Sequence, residues 1–385
     1  MIRKNRTVMS IKLSGSKTAL KSALLFKDQK NRMAQTLIFF VTSRCNARCD
    51  FCLYKDQVDN PVAKERELTI PEITQIAKKY GKLHYLALSG GEPFVRKDIG
   101  ELCQTFIDNC GTSVIDIPSN FYYTKSMVDT LGPLVKNNPN VIFDLQMSID
   151  QVGEAHNTSR KVKNLYSIAV NSFQELSLIR REHNNLKLKV NIVYLDRNKD
   201  NIQQIVDDLS ESIVFDRAQL TFPHDIISTE KGSNQSTLQD LFEFTKTANA
   251  LTTKGSQNLD PHTLGMLSVK RIYHRLLKEA LSSTKSVGSY CEAGRNILVI
   301  DERGEVFPCE PLMKSIGNLR DHDYDISKLI KGDAYANFRQ MYLGEGKCNC
   351  TWSCAIHSNI SVNAKYFPEL TLNAAKTLIG RTFGR

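Results

Sequence analysis

The sequence predicts an α/β protein: a partial (β/α)6 TIM-type barrel over residues 35–227, followed by a small cysteine-rich α+β domain over 291–360. Three observations predict it. Strand-like and helix-like stretches alternate through six repeats, the pattern of parallel strands joined by helical crossovers. The repeats fill roughly 190 residues, short of the about 250 that a closed eight-fold barrel needs. Beyond residue 290 the alternation gives way to a hairpin pattern set among cysteines.

The elements follow in order. Thr36–Val41 is a short apolar strand. Thr69–Gly81 reads as a helix, with Thr69 able to cap it, Pro71 suited to the first turn, Ile73, Ile76, Ala77 and Tyr80 on one face, and Gly81 at its end. Further strands are expected at Leu83–Leu88, Ser113–Ile117, Val141–Met147, Leu186–Leu195 and Ile213–Phe222. Helices are expected at Ile99–Asn109, Thr124–Lys136, Val162–Arg181 and Ile202–Leu209. Residues 228–290 read as a polar linker, rich in Ser, Thr, Asn, Gln and Gly over 228–260, ending in a helix at Leu267–Leu281. Ile297–Ile300 and Glu305–Phe307 flank the turn Asp301–Gly304 as a β-hairpin, and Ile326–Tyr342 is a helix. Beyond the β/α alternation there is no internal repeat.

Composition narrows the classes. Of 385 residues, 41% are apolar and 24% charged, which excludes a wholly disordered or fibrous chain. No apolar run approaches the roughly 18–20 residues that span a bilayer. The basic start is not followed by an apolar stretch and a small-residue cleavage site, so a cytoplasmic location is expected. The net charge of +10 is unevenly placed: residues 1–34 hold nine basic residues and one acid, a leader of +8, and leave +2 for the rest. That distribution argues against a nucleic-acid-binding body, as does the lack of aromatics among the leader's cations apart from Phe26. Ala19, Leu20, Ala23, Leu24, Leu25 and Phe26 around Lys21 fit a basic amphipathic helix touching an anionic membrane or an acidic partner, or else a solvated arm. Residues 361–385 form a second basic, amphipathic stretch.

The chemistry-bearing residues lie on loops after strands, where barrels of this kind place their active sites. The first strand leads into Cys45-x3-Cys49-x2-Cys52. Three thiolates within eight residues can hold a soft metal centre. A [4Fe–4S] cluster takes four ligands, so three cysteines leave one iron open to a substrate or cofactor. A zinc knuckle completed from elsewhere, or three unconnected buried cysteines, are the alternatives. The second post-strand loop is Ser89-Gly90-Gly91-Glu92-Pro93, where glycines allow close backbone approach and a carboxylate can meet a cationic amine. Alone, it reads rather as an ordinary glycine-rich turn.

Together these residues resemble the radical S-adenosylmethionine (SAM) superfamily. Cys45-x3-Cys49-x-Phe51-Cys52 is similar to its cysteine motif, and Gly90-Gly91-Glu92-Pro93 to its second motif, on successive loops of a partial barrel. The resemblance covers residues 36 to 222. It implies a [4Fe–4S] cluster on Cys45, Cys49 and Cys52, with the amine and carboxylate of SAM on the fourth iron. It also implies that Ser89, Gly90, Gly91 and Glu92 surround the methionyl amine and that Phe51 lies near the adenine. Weaker correspondences are Ser119-Asn120 after the third strand, Ser148-Ile149-Asp150 after the fourth, then His156 and Arg160. Their plain alternatives are turn residues, a helix cap and surface charge. The glycine-rich adenine element of many members is not evident.

The late cysteines resemble a SPASM/twitch auxiliary-cluster domain. Cys291 and Cys309 flank the hairpin with Gly304 at its turn, and Cys348, Cys350 and Cys354 follow. Five cysteines suffice for one auxiliary [4Fe–4S] cluster, on Cys291, Cys309 and two of the last three, and a four-cysteine zinc site is the alternative. Cys103 and Cys110 share a helix face and read as buried apolar residues. Trp352 is expected to pack near the late cysteines, and His84 and His357 to be structural rather than ligating. The activity implied is reductive cleavage of SAM to a 5′-deoxyadenosyl radical that removes hydrogen from a substrate carbon, with the auxiliary cluster assisting an oxidation or cross-link. A one-electron donor such as flavodoxin or ferredoxin and a peptide, carbohydrate or other small-molecule substrate are the implied partners. An RNA- or cofactor-modifying radical enzyme and a non-catalytic iron–sulfur protein are the competing classes.

Overall fold

A single apolar strand, β1 (Thr36–Thr42), organises the molecule: all but its first residue are buried, and it has a neighbour on each side. The computed structural model describes residues 33–58, 63–221, 243, 247, 261–282, 291–343 and 352–383. The leader, the polar segment 228–242, Cys348 and Cys350 lie outside the described residues. On one flank of β1 run β2 (Tyr85–Gly90), β3 (Val114–Ser119), β4 (Ile142–Ser148), β5 (Leu186–Val193) and β6 (Arg217–Thr221), all parallel and in sequence order. On the other flank lies β7 (Ile297–Ile300), also parallel, and then β8 (Val306–Phe307), antiparallel to β7. The result is an open partial barrel. The late hairpin continues its sheet, and residues 33–385 form one compact unit.

Helices cover the outer face: α1 (Ile70–Tyr80), α2 (Ile99–Cys110), α3 (Thr124–Asn137), α4 (Gly153–Arg160), α5 (Leu165–Glu182) and α6 (Ile202–Ser212). Later come α7 (Pro261–Ser282), α8 (Ile326–Ile330), α9 (Asp333–Tyr342), α10 (Ser353–Val362) and α11 (Phe367–Phe383), with α7 packed on α10 and α11. Successive strand residues point to opposite faces. One face of β3, β4 and β5 carries the fully buried Ile115, Ile117, Phe143, Leu145, Met147, Leu188 and Val190 against the helices. The other face turns Asp116, Asp144 and Lys189 into the barrel lumen, joined from β6 by Arg217. Among the described residues no helix is long and apolar enough to cross a membrane.

Three expected elements differ. The helix expected over Val162–Arg181 begins three residues later, at Leu165. α4 ends at Lys161 (φ 56°), and α5 begins after Asn164 (φ 59°), both in the left-handed region. The helix expected over Ile326–Tyr342 is two, α8 and α9, parted at Lys331-Gly332. The last barrel strand starts four residues later than Ile213, because pairing with β5 begins only where the Asp216 amide reaches the Leu188 carbonyl at 2.7 Å. Ile213 and Phe215 are buried as core side chains ahead of it.

Candidate active site

The C-terminal ends of β1 to β4 meet at a cavity of about 510 Å³. Its lining includes Cys45, Cys49 and Cys52, the whole of Ser89–Glu92, Ser119 with Asn120, and Ser148 with Arg160. Residues far apart in sequence thus share one chamber. Phe51 is not among the residues that line it. Two guanidinium groups lie over its ring, with Arg160 Cζ 5.7 Å and Arg197 Cζ 5.4 Å from the ring centroid.

The two glycines have a sharper reason than closeness to a ligand. The Gly91 amide donates to the Thr42 carbonyl at 2.7 Å, and the Glu92 amide to the Arg44 carbonyl at 2.9 Å. A Cβ at Gly90 would sit 2.1 Å from the Thr42 carbonyl oxygen, and one at Gly91 2.1 Å from that of Arg44. Glycine there lets the second loop lie directly on the backbone entering the cysteine loop.

Glu92 is buried and held by three donors: the Ser119 hydroxyl at 2.8 Å, the Asn120 amide at 2.8 Å and the Phe94 amide at 3.2 Å. Burial lifts its carboxyl to about 7 against the pull of those donors. Ser119 and Asn120 therefore orient the acid as well as line the chamber. Arg160 is fixed the same way, its Nε 2.9 Å and Nη2 2.8 Å from Asp150 Oδ2, both residues being buried. His156 accepts from the Asp150 amide at 3.3 Å. Its burial, with Arg160 alongside, pushes its imidazole down to about 2, so it stays neutral.

Burial pushes the Cys45 thiol up to about 12 and raises Cys49 and Cys52, while Arg160 draws the latter two down. The Ala47 amide donates to Cys45 Sγ and the Tyr54 amide to Cys52 Sγ, each at 3.3 Å, as suits sulfurs that are to carry negative charge. Among the described residues no three His, Cys, Asp or Glu side chains converge as one bare metal ion requires. A cluster bonds each thiolate to a different iron and asks for sulfurs spaced around a mouth. The donor set at this cavity fits that demand. Of the late cysteines, Cys291 precedes β7, Cys309 is buried just beyond β8, and Cys354 lies in the first turn of α10, its thiol pushed to about 12 by burial. Cys103 and Cys110 are buried in α2, and Trp352 is fully buried at the start of α10. His357 packs edge-on to Tyr273 at 4.8 Å, and His84 is half-buried.

Comparison with known proteins adds the family. The profile of the radical SAM superfamily matches residues 39–209, and that of the SPASM iron–sulfur cluster-binding domain matches 291–355. The chain belongs to the radical SAM superfamily. It carries a SPASM auxiliary-cluster domain, and the two matches imply SAM and two [4Fe–4S] clusters as cofactors. Among solved structures, this radical SAM fold is similar to anSMEcpe with bound AdoMet and the Cp18Cys peptide, with a TM-score of 0.55, 16% identity, and 89% of this chain and 98% of that one covered. It is also similar to Streptococcus suis SuiB bound to S-adenosylmethionine, with a TM-score of 0.57, 16% identity and coverage of 84% and 72%. Curated relatives include GTP 3′,8-cyclase of Aquifex aeolicus, 32% identical over 27% of this chain and 33% of the relative. That of Clostridium perfringens is 29% identical over 47% and 53%. The radical SAM chain thus spans between a third and about half of the curated relatives it matches.

Sequence reasoning missed two residues that shape this radical SAM site. Arg197 covers Phe51 from the loop after β5, and no short motif marks it. Tyr54 donates from the cysteine loop to Glu302 at 2.6 Å, a bond that spans 248 positions and follows only from β7 lying beside β1.

Proposed function

We propose that this radical SAM enzyme holds one [4Fe–4S] cluster on Cys45, Cys49 and Cys52 and an auxiliary one on Cys291, Cys309 and two of Cys348, Cys350 and Cys354, and that it oxidises or cross-links a peptide substrate. The observation that carries the reading is the single chamber in which the three cysteines face Ser89–Glu92, Ser119, Asn120, Ser148 and Arg160. Bound there, the cluster and SAM supply the one-electron chemistry that yields a 5′-deoxyadenosyl radical and removes hydrogen from an unactivated carbon. The protein contributes position and charge. Glu92, oriented by Ser119 and Asn120, accepts hydrogen bonds from a cationic amine. Arg160, oriented by Asp150, sets a fixed positive charge beside the thiolates. The peptide assignment draws support from the auxiliary-cluster domain and from the peptide-bound relative of the same fold. The curated relatives favour a nucleotide as the second reading. A one-electron donor such as flavodoxin or ferredoxin and a cytoplasmic site of action complete the proposal.

The test is anaerobic reconstitution, reduction with dithionite and assay of 5′-deoxyadenosine. The wild type is expected to release it, more so with peptide pools than with sugar or RNA pools. Replacing Cys45, Cys49 and Cys52 together by Ala is expected to abolish release, and retained release in that variant would overturn the cluster assignment.

A further inference from the structure

Glu302 stands at the turn between β7 and β8, in the hairpin flanked by Cys291 and Cys309. Asp301 shapes that turn. Its Oδ1 accepts from the Arg303 amide at 2.9 Å and the Glu305 amide at 2.8 Å, and Gly304 takes a φ of 90°. Held this way, Glu302 is 2% exposed and makes two bonds across to the barrel. Its carboxylate accepts from the Tyr54 hydroxyl at 2.6 Å, and its carbonyl accepts from the Leu68 amide at 2.7 Å. Tyr54 and Leu68 are themselves buried.

Each bond leads on to one end of the cysteine loop. On the Cys52 side, the Tyr54 ring packs against Phe40 of β1 with centroids 4.8 Å apart, and the Tyr54 amide donates to Cys52 Sγ at 3.3 Å. Lys55 and Val58, just beyond, form part of the chamber wall. On the Cys45 side, Glu67 binds Arg44 through Nε at 2.8 Å and Nη2 at 2.9 Å and accepts from the Thr42 hydroxyl. Arg96 joins the Leu68 carbonyl to that of Val41, at 3.0 Å each. One residue of the late domain thus braces both approaches to the three cysteines. We propose that Glu302 is a positioning residue for the cluster on Cys45, Cys49 and Cys52, acting through Tyr54 on the N–H···S bond at Cys52. Hydrogen bonds to ligand sulfurs help set a cluster's reduction potential, because they favour its more negative, reduced form. Partners one step behind a ligand hold it in the geometry the centre needs. The inference rests on reading these three cysteines as ligands. It adds that the hairpin between the late cysteines governs how readily this cluster is reduced.

The experiment is a redox titration of the anaerobically reconstituted holoenzyme followed by electron paramagnetic resonance. The spectrum of the Cys45/Cys49/Cys52→Ala variant is subtracted as the auxiliary contribution. Tyr54→Phe keeps the ring on Phe40 and removes only the hydroxyl. It is expected to retain its iron and to lower the ratio of reduced to oxidised first cluster at a fixed poise about threefold, about 28 mV at 59 mV per tenfold for a one-electron couple. Glu302→Leu is expected to lower it at least as far, while Glu302→Gln, which keeps an acceptor for Tyr54, prevents the fall. All three variants retain the backbone bond to Leu68, so they release the Tyr54 arm alone. A wild-type potential and spectrum in Tyr54→Phe would overturn the proposal even if Glu302→Leu failed to fold. So would a rise in potential in both Glu302 variants with Tyr54→Phe unmoved, the mark of a charge acting at a distance. So would a fall in Glu302→Gln as large as in Glu302→Leu. A wild type whose spectrum matches the triple cysteine variant would remove the cluster assignment and this inference together, whereas a present but unaltered first cluster removes this inference alone.

Discussion

The Gly91 position shows how little freedom single residues have at this site. A methyl group there meets the Arg44 carbonyl oxygen at 2.1 Å, a backbone atom that cannot rotate away. Gly91→Ala is therefore expected to push the second loop off the cysteine loop, lowering SAM affinity at least tenfold and reducing iron content, as equilibrium dialysis and iron assay would show. The glycine pair was legible in the sequence; its physical reason was not, because the partner backbone belongs to residues 42–44 and comes near only when β1 and β2 pair. The same holds for Arg160 and Asp150. Their spacing stood out, with surface charge and helix cap as plain alternatives, whereas the structure buries the two as one ion pair.

At the scale of elements, α1 illustrates what propensity can and cannot foretell. Thr69, Pro71 and Gly81 marked its ends, and the Thr69 amide does donate to the Glu72 carboxylate at 2.7 Å. Unseen was the second use of Glu72, which accepts from Arg320 Nε at 2.7 Å and from Tyr324 at 3.1 Å, tying the helix to the late domain. Burial alone would raise this carboxyl; Arg320 and Thr69 outweigh it and hold it at about 2 against an ordinary 4.5. A depressed acid adds stability above its unfolded value and loses it as pH falls through its folded value. Glu72→Gln is thus expected to cost about 1 kcal/mol near neutrality, a modest figure for a partly solvated pair, with the gap closing between pH 4.5 and 2 in acid-unfolding curves. Strand β5 carried a further signal: Leu186-Lys187-Leu188-Lys189-Val190-Asn191 alternates strictly, whereas a parallel strand buried on both faces reads as continuously apolar. That alternation was the trace of a polar lumen.

For the whole molecule, the six β/α repeats and the cysteine-flanked hairpin were readable because each is a local pattern. The place of the hairpin was not, since β7 pairs with a strand some 260 positions earlier. If both clusters form, the purified protein is expected to carry about eight irons and no zinc per chain, and about four irons with one zinc would replace the auxiliary cluster by a structural metal. The join between β1 and β7 also bears on how the protein is made. Until residues 297–300 have been synthesised, the strand leading into Cys45 has one unsatisfied edge, and Tyr54 and Leu68 lack their Glu302 partners. Contacts this distant in sequence form late, after the cost of closing a long loop. The first cysteine loop therefore reaches its final support only when nearly the whole chain has emerged. If a cluster is held on that loop, the order of synthesis itself delays its final support until the chain is ready to shelter it.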